Sequence, residues 1–153
     1  MSPISAQVFD EGKPVIKQIC REMSREECIW LAAAIDFDGC ISVSAEGPWQ
    51  TVGLFVTNTS DKLLSKVEEL TAVGSRAGVA DGWNWGITKR EFVHSILTQI
   101  EPYLIEKREL AAAVIAYMEI RLRTIEKAGR TNVGYTKEEN KRWKKVLSLR
   151  RGV

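Results

Sequence analysis

Cysteine pairs, long apolar runs and histidine are what this sequence is short of, and each shortage closes off a class of protein. The three cysteines, Cys20, Cys28 and Cys40, are odd in number and contain no C-x-x-C pair, which argues against a disulfide framework and against a zinc cluster. They read as free, mostly buried thiols. No apolar stretch approaches the roughly 18 residues of a membrane span. The opening MSPISAQVFDEGKP has neither the basic nor the apolar region of a signal peptide, so a soluble, intracellular protein without a membrane partner is expected. Asn and Gln together number only eight, a scarcity found in heat-adapted proteins.

What is present fits one domain. A chain of 153 residues can bury about two thirds of its unfolded surface around a single core. The net charge of +2 hides a split: residues 1–100 carry 9 basic and 13 acidic side chains (−4), the rest 13 basic and 7 acidic (+6). That asymmetry suits a polyanionic partner met partly through the C-terminal segment.

Residues 1–23 read as an extension with a short amphipathic helix after Pro14 (Ile16, Ile19, Cys20, Met23), and 24–153 as the single domain. Ser24 with Glu27 is a capping box, so a helix should run from Arg25 through CIWLAAAI until Gly39 ends it. Two strands follow. Ile41 and Val43 alternate with Ser42 and Ser44, and after the turn EGPWQ, Val52, Leu54 and Val56 alternate with Thr51, Gly53, Phe55 and Thr57. Ser60 can cap a helix to about Val73 with the stripe Leu63, Leu64, Val67 and Leu70, and Gly74 lies just beyond it. A hairpin turning at Asp81-Gly82 joins strands near 75–80 and 83–88. Thr88 with Glu91 forms a second capping box, Pro102 interrupts the helix, a long helix continues to about Ala128, and Thr136 with Glu139 caps a basic last helix. The class is α+β: two antiparallel hairpins in one sheet, helices on one face, and a polar opposite face free for water or a ligand.

The chemistry-bearing segment is Leu31-Ala32-Ala33-Ala34-Ile35-Asp36-Phe37-Asp38-Gly39 at the end of the first helix. Two carboxylates in the last turn of a helix face the negative end of its dipole, at a cost of a few tenths to about 1 kcal/mol each unless a cation is near. Three successive alanines let a second helix approach closely, so a symmetric pair could bring two Asp38 side chains into one pocket suited to a divalent cation.

This nonamer resembles the LAGLIDADG motif, matching it at Leu31, Ala32, Ile35, Asp36, Asp38 and Gly39, with Ala33, Ala34 and Phe37 in place of Gly, Leu and Ala. The order of elements over 24–128, αββαββα, is also that of the LAGLIDADG homing endonucleases, and no second motif is present. The resemblance implies an intron-encoded type of enzyme that acts as a homodimer on a long, nearly palindromic double-stranded DNA site, its antiparallel sheet forming a DNA saddle. It implies Mg²⁺ or Mn²⁺ as cofactor, with Ca²⁺ a non-catalytic substitute, held by Asp38 and the Phe37 carbonyl. It further implies that Leu31, Ala32, Ala33 and Ile35 pack at the dimer interface, and that Asn58, Lys62 and Lys107 organise the attacking water and the transition-state charge. Asp36 reads as structural.

A strand of about nine residues spans roughly 30 Å, so two copies of the sheet could cover some 18 to 20 base pairs. Ser42, Ser44, Glu46, Thr51, Phe55, Arg76 and Asn84, with Trp49 and Gln50 at the hairpin tip, are the candidates for base edges: Arg76 for guanine, Asn84 for adenine, Glu46 for cytosine. Basic residues of the C-terminal segment suit phosphates. Trp83 and Trp85 read as core aromatics, and His94, the only histidine, as a surface or core residue. The same fold also serves RNA maturases, for which intron RNA is the partner, and DNA regulators that do not cleave. A small module that merely dimerises through its Ala-rich helix is a third reading. A prokaryotic cytoplasm or an organelle is the expected location.

Overall fold

The computed structural model describes residues 6–10, 13–17 and 20–151, with side chains from residue 20 onward apart from 46 and 151. At the N-terminus β1 (Ala6–Asp10) and β2 (Lys13–Lys17) form an antiparallel hairpin with Val8 opposite Val15. The helix expected after Pro14 is therefore replaced by a strand. Val15 and Ile16 are β-branched and favour extended backbone, and Pro14 lacks the N–H an interior helical position needs. Ile19 lies outside the described residues, while Cys20 and Met23 are buried outside any helix.

The main sheet has strand order β3-β4-β6-β5, all antiparallel, from β3 (Gly39–Glu46), β4 (Trp49–Asn58), β5 (Ser75–Val79) and β6 (Gly82–Ile87). The helices are α1 (Arg25–Asp38), α2 (Asp61–Thr71), α3 (Arg90–Ile100), α4 (Arg108–Ala128) and α5 (Lys137–Arg151), with a 3₁₀ turn at Glu101–Tyr103. Strand alternation puts Ile41, Val43, Val52, Leu54, Val56, Trp85 and Ile87 on the helix-covered side, all buried, together with Leu31, Ile35, Leu64, Val67, Ile96, Leu97 and Val114 of the helices. The α+β architecture and the alternating register agree with the sequence.

Local chemistry explains the element ends. Ser24 and Glu27 close a complete capping box on α1, and Thr136 and Glu139 do the same for α5, with Thr136 N–H donating to Glu139 Oε1 at 2.8 Å and Glu139 N–H to Thr136 Oγ1 at 3.1 Å. Ser60 accepts from Leu63 N–H to cap α2. Thr88 does not cap α3: the N-cap is Lys89, which has no side-chain cap bond and receives the Val93 N–H on its carbonyl. The first hairpin turn is tighter than expected and the second lies one residue earlier than expected. Glu46 pairs with Trp49 and Val79 with Gly82, leaving Gly47-Pro48 and Ala80-Asp81 as two-residue turns. Gly39 is required by a close approach, since a Cβ there would stand 2.7 Å from Ile35 Cα where the chain leaves α1 for β3. Leu63, expected in the α2 stripe, is 42% exposed, whereas Leu64, Val67 and Leu70 are buried. Cys20 and Cys28 are buried and Cys40 is exposed, all three free. Burial pushes the Cys20 thiol up to about 11. No helix among the described residues is long and apolar enough to cross a membrane.

Candidate active site and nucleic-acid face

The end of α1 gathers most of the residues singled out from sequence. Asp38 is exposed in the last turn, and Asn58, at the end of β4, donates from Nδ2 to Asp38 Oδ2 at 3.0 Å. The Asn58 amide is itself oriented, because its Oδ1 accepts the Ser60 N–H at 2.8 Å and so leaves Nδ2 to face the carboxylate. Lys107 reaches the same helix end from the loop before α4, its Nζ donating to the Asp36 carbonyl at 2.8 Å. A cation therefore sits against the negative end of α1, where the helix itself has no basic residue in its last turn. Asp36 accepts the Ile105 N–H at 2.7 Å and the Lys107 N–H at 3.1 Å, in keeping with its structural reading. Lys62 stands exposed on the first turn of α2, outside this set of bonds. Phe37 precedes Asp38 with its ring 86% exposed. Asp38 and Asn58 open onto an apolar hollow of about 180 Å³ that includes Trp30, Ala34, Leu63 and Val67.

The interface set needs correction. Leu31, Ala32 and Ile35 are fully buried in the protein's own core, and of the four only Ala33 is exposed. On a helix of 3.6 residues per turn, positions 31, 32 and 35 share the face turned to the sheet, and position 33 lies on the other side. The outward stripe is Ile29, Ala33 and Phe37 at i, i+4 and i+8.

The open sheet face carries Cys40, Ser42, Ser44, Thr51, Phe55, Thr57 and Asn84, with Trp49, 38% exposed, at the hairpin end. Glu46 occupies an open-face register position opposite Trp49. Several of these side chains pair with each other: Ser44 Oγ with Thr51 Oγ1 at 2.8 Å, and Thr57 Oγ1 donating to Asn84 Oδ1 at 2.8 Å. The Phe55 ring lies over Gly53 and Gly86, where a Cβ would stand 2.5 Å and 2.3 Å from ring atoms. Cys40 and Thr57 are not among the base-edge candidates read from the sequence, although both sit at outward positions of the same alternation.

Two base-edge candidates face the wrong way. Gln50 has the parity of Val52 and points to the helices: its Oε1 accepts from Tyr117 Oη at 2.8 Å, its Nε2 donates to Asn140 Oδ1 at 2.9 Å, and its N–H donates to Tyr135 Oη at 2.8 Å. Arg76 has the parity of Trp85, donates from Nε to Glu68 Oε1 at 2.9 Å and from Nη2 to Ser65 Oγ at 2.9 Å, pairs with Asp61, and stacks on Trp83. Its neighbouring carboxylates, Glu68 first, hold the guanidinium above its ordinary range. Arg76 is the one Lys or Arg in the four strands of the main sheet, so no outward strand position of that sheet carries a cation. Trp85 is fully buried and donates to the Val73 carbonyl at 3.0 Å, whereas Trp83 is 38% exposed. His94 lies on α3 with Nε2 3.4 Å from Glu119.

No protein-family model and no curated protein sequence matches this chain. Solved structures do. The homing endonuclease I-CvuI, solved in complex with the I-CreI target in 2 mM Mg with its DNA not cleaved, superposes with a TM-score of 0.59 over 80% of this chain and 95% of its own, at 20% identity. The LAGLIDADG meganuclease I-AabMI, bound to uncleaved DNA, gives 0.61 at 16% identity, with 80% of this chain spanning 43% of that one. The group I intron-encoded homing endonuclease I-CeuI, complexed with DNA, gives 0.58 at 15% identity over 69% and 60%. The nonamer at the heart of this α+β domain thus sits in the fold of the LAGLIDADG homing endonucleases.

Proposed function

We propose that the protein is a site-specific DNA endonuclease that hydrolyses phosphodiester bonds as a homodimer. The observation that carries this is the oriented Asn58 amide on the exposed Asp38 carboxylate, with the Lys107 ammonium at the same helix end. Among the described residues no group of three or more His, Cys, Asp or Glu side chains gathers to hold a metal. Within one chain the Asp38 carboxylate is the one turned out to solvent at this helix end, while the Asp36 carboxylate is engaged by the Ile105 and Lys107 N–H groups. The hard oxygen donors suit Mg²⁺ or Mn²⁺ in a site completed by a second Asp38 and by DNA phosphate, with the Phe37 carbonyl beside it. Bound there, such a cation supplies Lewis acidity toward the phosphoryl oxygen and a lowered pKa for attacking water. Asn58 then holds the Asp38 carboxylate in place, and Lys107 and Lys62 add positive charge where phosphate charge develops.

The outward stripe Ile29, Ala33 and Phe37 supports pairing of two α1 helices, with the small Ala33 at its centre permitting close approach. The lack of Lys and Arg at outward strand positions of the main sheet supports a division of labour: neutral side chains such as Ser42, Thr51 and Asn84 against base edges, phosphate contacts from outside the strands. The exposed Lys137, Lys141, Lys144 and Lys145 of α5 suit the second task.

The test is selection of bound duplexes from a randomised DNA library, followed by incubation of those duplexes with protein in Mg²⁺, Mn²⁺ or Ca²⁺. Discrete double-strand breaks in Mg²⁺ are expected, lost in Asp38→Asn with binding retained. Binding without scission in Mg²⁺ or Mn²⁺ would leave a DNA-binding protein on this fold, and scission that persists in Asp38→Asn would remove the proposed site.

A further inference from the structure

Asp36 and Lys107 hold each other through four groups. The Asp36 carboxylate accepts the main-chain N–H groups of Ile105 and Lys107, at 2.7 Å and 3.1 Å, and the Lys107 side chain returns to the Asp36 main-chain carbonyl at 2.8 Å. The side chains of the segment so bracketed pack little. Leu104 on one side and Leu110 on the other are buried, but Ile105 is 85% exposed, Glu106 is exposed, and Lys107 caps α4 with no side-chain cap bond. Hydrogen bonds from a charged acceptor are among the stronger ones a loop can receive. The Lys107 carbonyl is held by α4 through the Ala111 N–H at 2.9 Å, and the N–H side of the segment is held by Asp36.

We infer that Asp36 is a positioning residue: by gripping the backbone of 105 and 107 it delivers the Lys107 ammonium to the end of α1, beside Asp38, instead of to solvent. The ammonium has three N–H donors and spends one on the Asp36 carbonyl, so two remain for a phosphate oxygen or a water held there. This also accounts for a second acid at a helix end that disfavours acids: Asp36 lies within hydrogen-bonding reach of two N–H groups, and it recruits the cation that offsets its neighbour. The inference rests on the nuclease reading for its consequence, and on the geometry alone for the grip itself.

A double-mutant cycle separates this role from a merely structural one. Single-turnover cleavage rates are measured for wild type, Asp36→Asn, Lys107→Met and the double variant, with DNA affinity and thermal midpoint recorded for each. Asp36→Asn is expected to slow cleavage by about tenfold to a hundredfold, to change DNA affinity less than threefold, and to have no further effect in the Lys107→Met background. Losses that multiply, or an Asp36→Asn rate within twofold of wild type, overturn the inference while leaving the nuclease reading intact. Amide hydrogen exchange at Ile105 and Lys107 reads the grip without any cleavage: tenfold faster exchange in Asp36→Asn is expected, and unchanged exchange overturns the grip. Should Asp36→Asn fail to fold, Asp36→Ser carries the same measurements. A wild type that cleaves nothing removes the nuclease reading and this role together, whatever the exchange rates.

Discussion

Replacing Arg121 by Met should destabilise the protein more than any change on its surface. Arg121 and Glu139 have fully buried side chains and face each other with Nη1 3.1 Å from Oε2. The same guanidinium donates to the carbonyls of Gly134 at 3.2 Å, Val133 at 2.7 Å and Thr131 at 3.4 Å, and its centre lies 3.9 Å over the Tyr135 ring. Among the buried side-chain nitrogens and oxygens of the described residues, Arg121 Nε alone lacks a partner. Met fills similar volume but leaves the Glu139 carboxylate buried with only the α5 cap, and strands three carbonyls. Removing one partner of a buried ion pair costs about 3–5 kcal/mol. For a domain of this size each kcal/mol is worth roughly 2–4 °C, so the midpoint should fall by about 6–20 °C. Because Tyr135 and Asn140 brace Gln50 behind the β3–β4 tip, affinity for a selected DNA site should weaken as well. Urea unfolding of Arg121→Met, Glu139→Gln and the double variant checks the reasoning, with the double variant expected to lose less than the two single losses combined. A loss below about 1 kcal/mol for Arg121→Met would refute it.

Two further expectations concern the fold. The Arg21 guanidinium, and then the Ser24 N–H, hold the Glu27 carboxyl at about 2 against an ordinary 4.5, so its stabilisation is present above pH 4.5 and is lost as pH falls toward 2. Urea midpoints across that window should fall less steeply for Glu27→Gln than for wild type, and equal slopes would remove the assignment. Gly86→Ala places a Cβ 2.3 Å from Phe55 Cδ1 and should cost about 1–3 kcal/mol by calorimetry or urea melts, a cost that disappears in a Phe55→Ala background.

The sequence determined the parts whose causes are local. Capping boxes at Ser24 and Thr136, the alternation of Val52, Leu54 and Val56, and the motif ending at Gly39 each depend on neighbours within a few positions, and each took the expected form. It also singled out, through resemblance, Asp38 and Asn58, which the fold brings together at 3.0 Å. The first turn is shorter than EGPWQ suggests and the second lies one residue before Asp81-Gly82, because pairing of Glu46 with Trp49 and of Val79 with Gly82 adds ladder bonds that outweigh the turn preference of single dipeptides. The directions of Gln50 and Arg76 were decided by long-range partners: Tyr117, Tyr135 and Asn140 for one, α2 carboxylates for the other. The same holds for which side of α1 is free, because the stretch of alanines is apolar all round and only the packing of the sheet chooses its buried face. Periodicity states that a helix or strand has two sides; the partner that covers one of them is supplied by chain segments 70 or 80 residues away, as Lys107 is for Asp36 and Tyr135 for Gln50.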